Sequence, residues 1–499
     1  MSPDIEHFDV LIVGAGISGI GAARYLKTEH PAKTFTILEA RGATGGTWDL
    51  FRYPGIRSDS DLYTFGYAFK PWTDEDSIAS AEKILAYVRE VSAENGIDEH
   101  IRFHHRVRAA SWSSEDARWL IEAEDARTGE RREFTAGWFF CATGYYSYDQ
   151  GFSPRFEGRE RFTGPVVHPQ HWPDDLDHAG KRVVVIGSGA TAVTIIPAMA
   201  ETAAHVTMVQ RTPTYILPLP TQDPLAGVLR RLLGEERSYG IVRRKNVAMQ
   251  RWSWLFCRRF PKAARRMIRS INARRLPEGF PVDEHFNPPY DPWDQRLCIA
   301  PDGDLFQAIR HGRASVVTGH IEAFTPEGVR MESGEHLDAD VIVTATGLDL
   351  KLFGGVGLAV DGEPVDPGER FAYKGMMLSG VPNFVLAIGY TNASWTLKVG
   401  LVCEYFCKLL AHMDAHGYDT ARPVADPGLP KRPLLDFQAG YVLRSLDKLP
   451  KQGPVAPWAA STHYRSDRRL VRRGGVADGH LRFSSAESSA AGRVPSERP

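Results

Sequence analysis

A carboxylate at Glu39 and a guanidinium at Arg211 close two stretches of this chain that are otherwise built alike. Each follows a glycine turn at nearly the same distance, 25 residues from Gly14 to Glu39 and 24 from Gly187 to Arg211. A carboxylate in that position can accept both hydroxyls of an adenosine ribose, and it would repel a 2′-phosphate. A guanidinium does the opposite, gripping the phosphate through two parallel charge-assisted bonds. The two charges therefore predict two dinucleotides of different kinds, and the second reads as NADPH rather than NADH.

The elements needed to position these groups are legible on either side. Asp9–Val13 is a short, continuously apolar run, the pattern of a parallel strand buried on both faces. It enters Gly14-Ala-Gly16-Ile-Ser18-Gly19, and a helical stretch follows to Leu26. Gly14 allows the tight turn, Gly16 lets a pyrophosphate approach the backbone, and Gly19 lets helix and strand pack closely. The helix N-terminus then offers N–H groups and a positive dipole end to phosphate. A strand over Phe35–Leu38 delivers Glu39. The second unit repeats the plan: Arg182–Ile186 enters Gly187-Ser188-Gly189-Ala190-Thr191-Ala192, and His205–Val209 leads through Gln210 to Arg211 and Thr212. Ala142-Thr143-Gly144 and Ala345-Thr346-Gly347 each follow an apolar run and resemble the motif that closes such a nucleotide fold.

Composition sets the remaining limits. The 499 residues suffice for two or three domains, and 43% hydrophobic with 24% charged residues is ordinary for a globular protein. A net charge of −1 creates no global field toward nucleic acid. The five cysteines (141, 257, 298, 403 and 407) have no zinc or redox spacing, and no metal site is expected. The N-terminus does not read as a signal peptide and no run is long enough to span a bilayer, so a cytoplasmic protein is expected.

Residues 219–288 break the strand–helix alternation and read as a helical insertion rich in arginine, with Trp252, Trp254 and Phe256 interleaved. A solvated helical face covering a substrate pocket is the preferred reading. Peripheral contact with an anionic membrane through residues 243–275 is the other. The final residues, 486–499, read as a disordered tail.

Between the two glycine turns lies Phe162-x-Gly164-xxx-His168-xxx-Trp172-Pro173. This segment resembles the fingerprint of the Baeyer–Villiger monooxygenases, NADPH- and FAD-dependent enzymes that insert oxygen beside a ketone carbonyl. Thr47 to Asp61, Asn287 to Cys298 and Gly389 to Lys398 resemble most closely a mycobacterial branch of that family. The resemblance implies an α/β fold of two Rossmann-like domains with a helical insertion. FAD would occupy residues 1–150 with 380–485, and NADPH residues 151–218 with 289–379. It assigns Thr47, Trp48, Asp49, Leu50, Asp59 and Val107 to FAD beside the first glycine turn, and Arg57, Ser58 and Asp59 to NADPH beside the second.

By the same resemblance Arg296 is catalytic and Asp59 holds it in place. The chemistry favours arginine: a peroxyflavin that attacks a carbonyl must stay deprotonated, so its partner must be a cation that cannot surrender a proton. Arg296 would then stabilise the oxyanion of the tetrahedral adduct. The expected substrates are ketones, with sulfides and thioamides as a side activity and O₂ as co-substrate. Two departures stand out: Gln295 where many relatives carry lysine, and Ser58 where a cysteine is common. A monooxygenase restricted to sulfur and nitrogen nucleophiles, and a non-catalytic flavin-binding sensor, remain alternatives. A disulfide reductase would need a cysteine pair that this sequence lacks.

Overall fold

The computed structural model describes residues 5–435 and 440–485. The strand Glu6–Val13 lies at the heart of the first sheet, with Val10, Leu11 and Ile12 fully buried. Phe35–Leu38 and Arg131–Cys141 flank it in parallel. Ile101–Arg102 and Phe384–Leu386 complete the parallel layer at its two ends. The stretch around Val107 is split into two strands. His104 adopts a φ of 62°, so the chain turns between Ile101–Arg102 and His105–Ser113. His105–Ser113 instead opens an antiparallel meander through Arg118–Asp125 to the first half of Arg131–Cys141.

The second sheet is wholly parallel, in the order Ala314–Thr318, His205–Gln210, Arg182–Ile186, Val341–Thr344, Val166–Val167. Both parallel layers thus run third, second, first and fourth strand, and each is finished by one further strand. The finishing strands come from opposite directions along the chain: Phe384–Leu386 follows the first fold's other strands, whereas Val166–Val167 precedes the second fold's.

One expected boundary moves. Gly357–Val360 and Glu363–Pro364, placed by the sequence with the NADPH-side segment 289–379, extend the first sheet beyond His105–Ser113. The physical reason is the open edge of the meander, whose unpaired N–H and C=O groups these strands satisfy. The crossings between folds are themselves paired, since Tyr146–Gly151 and Leu348–Leu350 form a short antiparallel ribbon.

Between the paired strands Ile216–Leu219 and Cys298–Pro301 stand the helices Pro224–Leu233, Glu235–Arg259 and Pro261–Ala273. Asp223 caps the first, accepting from the Leu225 and Ala226 N–H groups, and Pro261 starts the third. Tyr239, Val242 and Asn246 recur at helical spacing on the buried face of the long helix. No helix among the described residues is long and apolar enough to cross a membrane.

The C-terminal part belongs to the first fold. Helix Trp395–His416 packs beside Ile17–Glu29, and Lys398 on it is buried against Asp467 at 2.7 Å. Tyr390 also donates to Asp467, at 2.6 Å, so helix Tyr464–Arg473 is tied to the core by a satisfied buried charge pair. The tail expected at 486–499 lies outside the described residues.

Candidate active site

Both glycine turns are shaped by the motif that closes their fold. Gly14 takes a φ of 104°, and a Cβ there would stand 2.7 Å from the Ala142 carbonyl oxygen. Gly187 takes 132°, and its Cβ would meet the Ala345 oxygen at 2.2 Å. Gly19 lies against the Gly14 carbonyl, where a Cβ would be only 1.9 Å away, and Gly16 faces the Gly46 backbone. The first alanine of each Ala-Thr-Gly is therefore the floor of a turn.

Helices Ile17–Glu29 and Ala190–Met199 start at Gly16 and Gly189 without a side-chain cap, so their first N–H groups stay available to an anion. Ala190, Thr191 and Ala192 form the first turn of the second helix, with open space around Gly189. The buried Ser18 hydroxyl accepts from the Trp395 indole at 2.9 Å, and Ser188 donates to the Thr212 carbonyl at 3.1 Å.

The two strand-end charges differ in more than sign. Glu39 is buried, and its carboxylate accepts from the Ala15 and Arg41 N–H groups, each at 2.8 Å. Burial pushes its pKa up against these bonds. Glu39 is thus a brace for the glycine turn as well as a candidate ribose ligand. Arg211 is exposed, while neighbouring Gln210 is buried and donates to the His285 carbonyl and the Thr318 hydroxyl.

The second FAD segment folds beside the first turn. Thr47 shares a 3.1 Å hydrogen bond with Tyr148, Trp48 meets Phe65 edge-on, and Leu50 is half-buried. Buried Asp49 pairs with Arg41 at 2.5 Å and Arg89 at 3.0 Å. Val107 is buried in the meander, opposite Ala123.

The fingerprint segment is fixed at both ends and in the middle. Phe162 is buried against the second fold's core, and Gly164 sits where a Cβ would strike the Asp340 carbonyl at 2.4 Å. Val166–Val167 finishes the second sheet, and Trp172, before half-buried Pro173, packs on the same fold. His168 lies on the ribbon between folds: its ring rests against Gly151, Nε2 reaches the Gly347 carbonyl at 3.1 Å, and Nδ1 accepts from the Gln170 N–H at 3.2 Å. That pattern needs a neutral ring with its proton on Nε2.

Burial lowers the His168 pKa. The unfolded chain therefore binds a proton, below about pH 6.5, that the folded chain resists. The stability from neutral His168 is complete above that pH and is lost as pH falls through it toward the lower folded value. The gap in Tm between the protein and a His168→Gln variant should narrow from about pH 7.5 to about pH 5.5. Parallel melting profiles would exclude this role.

The folds meet at the residues with reactive potential. Gly55 packs on Thr194 and Ala198 of helix Ala190–Met199, and the half-buried Tyr53 phenol meets Thr191, loss of solvent raising its pKa to about 12. Arg57 pairs with Asp304 at 2.5 Å, and burial pushes the Asp304 pKa up. Ser58 is buried, accepting from the Ala79 N–H at 3.2 Å. Asp59 then reaches Arg296 with Oδ2 to Nη2 at 2.6 Å, the two side chains 37% and 35% exposed. An ion pair this exposed adds at most about 1 kcal/mol of stability, so its significance is orientation of the guanidinium.

Sequence reasoning missed several groups around this pair. Tyr145 is half-buried near Arg296 and Asp59, stacks on Trp395 at 5.1 Å, and bonds Tyr146 at 2.7 Å. Its position directly after Ala-Thr-Gly was the available signal. Asp61 accepts from Asn246 and Gln250, each at 2.8 Å, which brings the insertion's long helix to the site. Nothing in the spacing announced that contact.

Orphaned polar atoms indicate whether nucleotides fit. Arg41 Nη1 and Arg57 Nη2 are buried without a hydrogen-bond partner among the described residues, Arg41 beside Glu39 and Arg57 beside Asp304. Together with the uncapped helices and glycine cradles, they fit two anionic dinucleotides. One glycine-turn fold set within another, with an arginine–aspartate pair across the junction, defines a two-dinucleotide oxidoreductase.

Residues 8–233 match the family model described as pyridine nucleotide-disulphide oxidoreductase. The five cysteines are buried free thiols. The FAD-containing monooxygenase EthA of Mycobacterium tuberculosis (strain ATCC 25618 / H37Rv) is 54% identical over 483 residues, 96% of this chain and 98% of that protein. EthA of Mycolicibacterium smegmatis is 51% identical, over 96% of this chain and 97% of its own. Among solved structures, an oxidised steroid monooxygenase bound to NADP superposes with a TM-score of 0.76 at 23% identity, over 96% of this chain and all of that one. An open cyclohexanone monooxygenase gives 0.75 at 21% identity, over 96% and 100%. The chain belongs to the family of FAD-containing monooxygenases typified by EthA.

Proposed function

We propose that this protein is an FAD- and NADPH-dependent Baeyer–Villiger monooxygenase that converts ketones to esters or lactones, with oxygenation of sulfides and thioamides as a side activity. The observation that carries the reading is the Arg296–Asp59 pair at the junction of the two nucleotide folds. The EthA relatives are named FAD-containing monooxygenases, and the steroid and cyclohexanone monooxygenases share the fold.

In this reading Gly14, Gly16, Gly19, Glu39 and the Thr47–Leu50 turn hold FAD. Gly187–Ala192, Arg211 and Arg57 hold NADPH. Bound flavin supplies two electrons and the activation of O₂. The chain's own contribution is electrostatic. Arg296 keeps its charge at any working pH, so it donates hydrogen bonds to an anionic oxygen without passing it a proton, and then to the oxyanion formed at the substrate carbonyl. Asp59 is a positioning residue that fixes the direction of that guanidinium. Overall, ketone, O₂, NADPH and a proton give ester, NADP⁺ and water.

With purified flavin-loaded protein, NADPH and a simple cyclic ketone in air, we expect lactone to accumulate in step with NADPH oxidised. Oxidation of NADPH that yields only hydrogen peroxide with every ketone and sulfide offered would overturn the proposal.

A further inference from the structure

We infer that the helical insertion is a docking surface for an anionic lipid bilayer. Eleven of the fourteen large apolar side chains exposed among the described residues fall between Leu219 and Met267, leaving Ile5, Leu443 and Val455 elsewhere. Leu232 and Trp252 are 73% and 70% exposed, and Val228, Met249, Phe256 and Phe260 are exposed beside them in the chain. Met249, Trp252 and Phe256 recur at helical spacing, so they form one stripe on the outer face of Glu235–Arg259.

The charge of the same segment selects the occupant. Residues 224–275 carry fifteen lysines and arginines against two acids, Glu235 and Glu236, in a chain of net charge −1. Some already have protein partners, as Arg243 has the Tyr63 and Gly66 carbonyls and Arg258 has Asp294. Arg244, Arg259, Lys262 and Arg266 are exposed. An apolar stripe with a tryptophan among basic residues suits the headgroup boundary of an anionic membrane, where acyl chains take the apolar side chains and headgroups the cations. A second copy of the chain would bring like charge to like charge. A nucleic acid would match the cations but give Leu232, Met249 and Phe256 nothing to bury against.

The inner face of the same long helix donates to Asp61 through Asn246 and Gln250, two residues from Asp59. An apolar substrate leaving the bilayer would thus reach the site past a single helix. That last step rests on the oxygenation proposed above; the docking does not.

The test is flotation of the full-length protein with vesicles of phosphatidylcholine alone and of phosphatidylcholine with phosphatidylglycerol. We expect binding only to the anionic vesicles, weakening at about 0.5 M salt as screening shortens the reach of the charges. The combined change Arg244→Gln, Arg259→Gln and Arg266→Gln should weaken it about a hundredfold, at about fivefold per arginine. Trp252→Ser with Phe256→Ser should weaken it at least about tenfold, with NADPH oxidation unchanged in solution. Three results would overturn the inference: no flotation with anionic vesicles at low salt, equal flotation of the variants, or a Trp252-dependent dimer or oligonucleotide complex in its place.

Discussion

Arg296→Ala should leave a yellow protein that still oxidises NADPH but forms ester at least about a thousandfold more slowly, because stabilisation of a developing oxyanion is worth roughly two to three orders of magnitude per donor and this residue serves two successive anions. The electrons should emerge as hydrogen peroxide. Arg296 belongs to neither glycine turn, so reduction of bound flavin by NADPH should persist. Arg296→Lys is the discriminating companion. It restores a cation but one that can lose its proton and lacks the planar fork, so only partial recovery, rising at lower pH, is expected. Product analysis alongside peroxide assay checks both. Ester formation by Arg296→Ala near the rate of the unaltered protein would remove the residue from the mechanism.

Gly187→Ala should separate the two cofactors. The turn is held at a φ of 132° and a Cβ would stand 2.2 Å from the Ala345 oxygen. Neither side can yield easily, since Arg182–Ile186 and Val341–Thr344 are paired neighbours in the sheet. Strain of this kind costs about 1–3 kcal/mol for the dihedral alone, before the clash. Flavin reduction by NADPH should fall about a hundredfold or more at low NADPH. The first fold has its own core, so flavin content and bleaching by dithionite should remain. Gly189→Ala meets no protein atom and should fold without strain, but its Cβ would stand where the pyrophosphate must approach the backbone, so it too should weaken NADPH binding. Stopped-flow reduction across NADPH concentrations measures both variants, and unchanged NADPH affinity in Gly187→Ala would show that the turn does not cradle that cofactor.

What was legible in the sequence follows the physics of each feature. Buried parallel strands are continuous apolar runs, and glycines at forced positive φ cannot be replaced cheaply, so both nucleotide turns stood out in the letters. The Arg296–Asp59 pair came only through resemblance, because 237 residues separate its members and no periodicity links them. The braced state of Glu39 was hidden for a related reason: its partners are backbone N–H groups, which every residue has. The division at His104 depends on one backbone dihedral, and the edge strands Gly357–Val360 and Glu363–Pro364 are set by the open side of a distant meander. Insertion helices were expected, but the run of letters could not say which face would be left outside.

The finishing strands have a consequence for biosynthesis. Every strand of the second parallel sheet has been made once the ribosome passes Thr344, whereas the first sheet waits for Phe384–Leu386. The fold that begins first is thus completed last, and its early strands must persist unfinished while the inner fold closes between them. An exposed half-sheet of that duration is open to mispairing. The ribbon of Tyr146–Gly151 with Leu348–Leu350 sits where it limits that exposure, forming as soon as the inner fold is done and returning the chain to the waiting edge.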